Sequence, residues 1–109
     1  MRQNRRWLKT AFLKKYLVIK DAEGTTTTGY DTTPAEFKPN IQPAGGKVMA
    51  EMYGERLKYM LTMYYDGSIE LKEKDGVCVY VPPERKPDYK IVAIRPWNNH
   101  KVIDLEKVM

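Results

Sequence analysis

The sequence predicts a mainly β fold, a small β-barrel of about seven short strands with one short helix or ordered loop inserted between strands. Three observations carry that expectation. Short runs rich in β-branched and aromatic residues recur along the chain, and turn signals built on Gly, Pro and Asp separate them. The length, 109 residues with 42% hydrophobic content, suits one modest core and not two. Closure into a barrel is expected because it removes edges that a small sheet otherwise leaves open to aggregation. The division is a basic N-terminal arm, residues 1–11, followed by a single β-barrel domain, residues 12–109.

The arm mixes charge with Trp7 and Leu8 and reads as a short helix or irregular segment. Phe12 to Lys20 is a strand, Asp21-Ala22-Glu23-Gly24 a hairpin turn, and Thr25 to Tyr30 the returning, solvent-facing strand. Ala35 to Gln42 sets Phe37 and Ile41 on one side, but Pro39 lacks an N–H, so this strand lies at an edge or is broken there. After Pro43-Ala44-Gly45-Gly46 the period changes. Val48 with Met52, and Met49 with Tyr53, are four apart as on a helix, while Gly54 limits its length, so Lys47 to Leu57 reads as a conditional helix or an ordered loop.

Tyr59, Leu61, Met63 and Tyr65 alternate along a strand that stops at Asp66-Gly67. Ser68 to Lys72 is expected to form a short polar strand, Asp75-Gly76 a turn, and Val77 to Val81 a buried strand. Pro82 to Asp88 is a stiff loop. Tyr89 to Arg95 and Lys101 to Leu105 then form a last hairpin around Pro96-Trp97-Asn98-Asn99-His100.

Charge is placed unevenly. Residues 2–20 hold seven basic side chains, among them Arg2, Arg5, Arg6 and Lys9, and no acid, whereas the rest of the chain holds 12 basic and 14 acidic residues. That end suits either an acidic partner or a solvated arm. No apolar run is long enough for a membrane span and no signal segment follows the N-terminal charges, so the protein is expected in the cytoplasm with no membrane partner. The one cysteine, Cys78, reads as a small strand hydrophobe.

The residue patterns of catalysis are missing, and no enzyme is expected. His100 is the one histidine, in a polar turn where it reads as structural or solvent-exposed, so a zinc site has no usual ligand set, and neither a metal nor another cofactor is expected. Gly45-Gly46-Lys47 is followed by Val48 and lacks the pattern of a phosphate-binding loop. The scattered acids leave open a carboxylate pair assembled by folding. Eight tyrosines and the cluster Met49, Met52, Met60 and Met63 suit either a core or an adaptable contact surface, with Met49, Met52 and Tyr53 the candidate interface.

From Asp31 onward the chain resembles the head-closure, or stopper, proteins of long-tailed bacteriophages and related prophage connector components. The resemblance rests on Phe37-Lys38-Pro39-Asn40-Ile41-Gln42-Pro43, Tyr53-Gly54-Glu55-Arg56, the Tyr- and Met-rich strand ending in Asp66-Gly67, Asp75-Gly76-Val77, and Pro87-Asp88-Tyr89-Lys90 ahead of His100. It implies a β-barrel virion protein, made in the host cytoplasm, that self-associates into a ring at the head–tail junction between portal or adaptor proteins and tail proteins. It also implies that Gly45 to Lys58 projects toward a channel holding packaged double-stranded DNA, with Lys47, Arg56 and Lys58 as the DNA-facing cations. The basic arm and the threonine run depart from that pattern. The competing expectation is a basic β-barrel nucleic-acid-binding module.

Overall fold

The computed structural model describes residues 8–97 and 100–108. The expected basic arm residues Arg2, Arg5 and Arg6 therefore lie outside the described residues. The elements are β1 (Ala11–Lys14), β2 (Tyr16–Lys20), β3 (Thr26–Tyr30), β4 (Ala35–Phe37) and β5 (Asn40–Pro43), then α1 (Lys47–Tyr53) with a 3-10 helix (Gly54–Tyr59). β6 (Met60–Tyr65), β7 (Gly76–Cys78), β8 (Tyr89–Trp97) and β9 (His100–Lys107) complete the chain.

Seven strands form one antiparallel sheet in the order β4-β1-β7-β8-β9-β6-β5, and β2 and β3 form a separate two-stranded ribbon. The mainly β expectation holds. The closed barrel does not: β4 and β5 stand at opposite ends of the sheet with no ladder between them. They are consecutive in the chain, joined only by Lys38 and Pro39, so the sheet must curl until its two ends nearly meet. Pro39 supplies no N–H at that corner, and single contacts span it instead, a Leu8–Asn40 bridge and the Lys9 amide donating to the Pro39 carbonyl at 2.9 Å.

Alternation fills the inside of the curl. Leu13 pairs with Val77 and Val77 with Tyr89; Leu61 pairs with Leu105 and Leu105 with Ile91; Met63 pairs with Ile103 and Ile103 with Ile94. All but the half-buried Ile94, which packs against them, belong to one buried cluster that also holds Phe37 edge-on to Tyr65 at 5.3 Å. Ala11, at the end of the expected arm, is fully buried in β1.

Four local expectations are corrected. Phe12 to Lys20 is not one strand: the chain leaves the sheet at Lys15, where β1 gives way to β2 of the ribbon. Ser68 to Lys72 is not a strand, because Leu71 is drawn into the core while Lys72 turns its amide to the Asp75 carboxylate. The strand expected over Val77 to Val81 ends at Cys78, since the Asp88 carboxylate accepts the Val79 and Tyr80 amides at 2.8 and 2.9 Å and takes the chain out of the ladder. The last hairpin is longer than expected, with Trp97 pairing His100.

Candidate functional site

The segment from Lys47 to Tyr59 lies outside the core, and its sequence explains its form. α1 starts after Gly46 with no side-chain cap and stops at Gly54, whose φ of 56° and ψ of −127° suit glycine alone, so the helix has seven residues. Its two spaced pairs diverge: Met49 is buried and Tyr53 half-buried, while Val48 and Met52 are exposed.

Alternation on β9 gives this segment its seat. Ile103 and Leu105 point into the core, so Asp104 and Glu106 point to the other face, where they pair with Thr62 and Met60 of β6. Met60 and Thr62 are buried there although neither belongs to the core cluster, which marks a second, thin layer under α1. Asp104 is 0% exposed and its charge is met on both oxygens: the Tyr53 hydroxyl donates to Oδ2 at 2.7 Å and the Arg95 guanidinium to Oδ1 at 2.7 Å. Arg95 also lies 3.9 Å from the Met49 sulfur. Two residues on, Arg56 grips Glu106 with two bonds of 2.7 and 2.9 Å and lies 5.4 Å from the Tyr53 ring centre.

The electrostatics fit a clamp. Burial first, and then the bond to Asp104, push the Tyr53 phenol up to about 12, so it stays protonated and donates at any ordinary pH. The hydrogen bond from Arg56 holds Glu106 below the usual carboxylate range. Both carboxylates thus spend their oxygens on their own chain, an arrangement that holds the segment to the sheet.

The sequence candidates fall into distinct places. Met49 and Tyr53 face the sheet, so Met52 alone of the expected interface trio faces solvent. Arg56, though exposed, is paired with Glu106, whereas Lys47 and Lys58 are exposed with no carboxylate within ion-pair distance among the described residues, Lys58 lying 5.1 Å from the Tyr59 ring centre. Lys9 is 5.0 Å from the ring centre of Tyr80. Cys78 is buried in β7, which pushes its thiol up. His100 is buried beside Tyr64, 6.4 Å between ring centres, and its Nδ1 has no partner among the described residues. Among the described residues no three His, Cys, Asp or Glu side chains come together to hold a metal ion, and no helix is long and apolar enough to cross a membrane.

Sequence reasoning missed two features. Asp104 had one visible sign, a lone acid in the apolar run Val102 to Leu105. The other is that the expected hairpin leaves the main sheet as a separate ribbon, β2–β3, an arm in which Val18 is 64% and Ile19 55% exposed. Its root is fixed by the buried Asp75 carboxylate, which accepts the Tyr16 amide at 2.9 Å and the Lys72 amide at 3.1 Å and pairs with Lys15 at 3.4 Å.

No protein-family model matches the chain, and no curated protein does. Among solved structures, the solution structure of protein SF1141 from Shigella flexneri 2a is similar, with a TM-score of 0.66 at 10% identity over 91% of this chain and 90% of that one. At that identity the likeness concerns the fold alone.

Proposed function

We propose that this protein is a connector subunit at the head–tail junction of a long-tailed bacteriophage or prophage, a ring-forming stopper. In this reading it joins the portal or adaptor complex to the tail and helps retain packaged DNA. It is made in the bacterial cytoplasm, acts in the virion, and catalyses no reaction.

The observation that carries the proposal is the clamped segment. A β scaffold presents Lys47 to Tyr59 as a separate layer, bounded by Gly45-Gly46 and interrupted by Gly54, and holds it by side chains rather than by a backbone ladder. Val48 and Met52 point outward with Lys47 and Lys58 nearby in sequence, so the layer offers apolar and cationic contacts together. The sequence resemblance supplies the context for such a segment. Phosphate contact in a channel needs positive charge without base specificity.

The competing module reading draws on the basic first fifth of the chain. Filter binding with double-stranded DNA separates the two. The connector reading expects negligible binding by the free monomer; tight binding that weakens steeply with salt favours the module. Lys47→Glu with Lys58→Glu tests the DNA-facing role: leakage of DNA from assembled heads is expected, and unchanged retention removes these residues from it.

A further inference from the structure

We propose that the β2–β3 arm is the self-association element of this protein and seats, through its Leu17 and Ile19 face, in the cleft at the arm root of a second copy. The inference deepens the connector reading and rests on it for the closed ring.

Strand β2 places apolar side chains on both faces of the arm, while β3 backs them with threonines. Residues alternate along β2, so Leu17 and Ile19 share one face and Tyr16 and Val18 the other. A two-stranded ribbon is marginal alone in water, and among the described residues this one is held at its root, where the Asp75 carboxylate accepts the Tyr16 amide at 2.9 Å and pairs with Lys15 at 3.4 Å. Beyond that root Val18 and Ile19 stand in solvent opposite Thr28 and Thr27. A rigid root with an uncovered apolar blade is the form of a docking arm.

The receiving surface is a cleft of about 470 Å³ at the same root, lined by Tyr16, Tyr30, Ile91 and Val92, with Lys74 and Lys90 and one acid, Glu73. Tyr16 and Tyr30 meet edge-on at 6.0 Å, and Lys74 lies 5.8 Å from the Tyr16 ring centre. Val92 is the extra residue of a bulge between Ile91 and Ala93, which interrupts the β8–β9 ladder beside the cleft. The arm matches this surface in kind. Its blade is aliphatic and its tip carries Asp21 and Glu23, with the Asp21 carboxylate fixed by the Glu23 and Thr25 amides at 2.9 and 2.8 Å. Acids at the tip thus meet the two lysines at the cleft.

The occupant is a second copy because blade and cleft are different surfaces of one chain. Pairing like faces about a two-fold axis covers one side of the arm and leaves the other in water. A head-to-tail contact covers both, and repeats until the rotation closes into a ring.

Mixed cross-linking tests this directly. Full-length Ile19→Cys and Lys90→Cys chains, with the buried Cys78 kept, are mixed at millimolar concentration under mild oxidation. The expected product is the mixed disulfide dimer, lost when Leu17→Asp is added to the first chain. Ile19→Cys homodimers formed as readily as the mixed species, or no covalent dimer at all, overturn the proposal. A charge swap, Glu23→Lys in one chain and Lys90→Glu in the other, keeps the assessment independent of the cysteines: sedimentation is expected to show association lost with either change alone and regained with both, and no loss counts against the contact. Normal head–tail joining in particles that lack the protein removes the connector reading instead, whatever the cross-links show.

Discussion

The Tyr53 hydroxyl and the Asp104 carboxylate, 51 positions apart in the chain, meet in a hydrogen bond of 2.7 Å. Through it a short helix of weak intrinsic stability is fixed to the face of the sheet opposite the core. Removing the hydroxyl leaves a fully buried carboxylate oxygen without its donor. Tyr53→Phe is expected to cost about 1–3 kcal/mol in urea unfolding. Hydrogen exchange is expected to rise across Lys47 to Tyr59 first, with β6 and β9 unchanged.

Tyrosinate absorbance reads the same bond through pH. The folded-state value of Tyr53 lies above its ordinary 10.0, so its contribution is fully present below pH 10 and is lost as pH rises through about 12. Of the eight tyrosines, Tyr53 is expected to ionise with the late group, and in Tyr53→Phe the late amplitude falls by one residue. An unchanged late amplitude contradicts the bond.

Glu106 has the opposite sign. Its folded value is depressed from 4.5 by the hydrogen bond from Arg56, so the pair stabilises the fold above the ordinary carboxylate range and is lost as pH falls through the lowered value. Solvent around Arg56 screens the pair and keeps the stability effect small. Carboxyl titration by NMR is expected to show Glu106 moving up toward its ordinary value in Arg56→Ala.

Much of the fold was legible because it depends on alternation and turn chemistry. Leu61, Met63 and Tyr65 announce a strand with one apolar face, and Asp21 to Gly24 announce a turn, each within a few residues. The boundary at Lys15 was not legible, since nothing in the run to Lys20 marks where the chain leaves one sheet for another; Asp75, sixty residues on, decides it. Barrel closure failed for a related reason: Pro39 was read as an edge, but that both ends of the sheet converge on it is a property of strand order. At the candidate site the spacing of Met49 and Tyr53 gave a helix face, while its seat, Asp104 and Glu106, came from a strand read only as apolar.

Gly54 separates the helix from the 3-10 turn in a conformation closed to side chains. A Cβ there meets nothing within 4 Å, so the penalty of Gly54→Ala is conformational, about 1–3 kcal/mol. Gly45→Ala, with open space and no positive φ, is expected to be neutral within about 0.5 kcal/mol. Thermal unfolding of the two variants side by side checks the contrast.

Asp75→Ala removes the acceptor of the Tyr16 and Lys72 amides beside the arm. It is expected to destabilise by about 2–3 kcal/mol, and amide shifts along Tyr16 to Tyr30 are expected to collapse toward random-coil values while the β6–β9 pair keeps its own.

Electron microscopy of phage particles made with and without this protein tests the central claim most directly. The connector reading expects filled heads that lose DNA and carry no tails when it is missing, and density for a ring at the neck when it is present. Particles that join and retain their DNA equally well in its absence, with no such ring, contradict it.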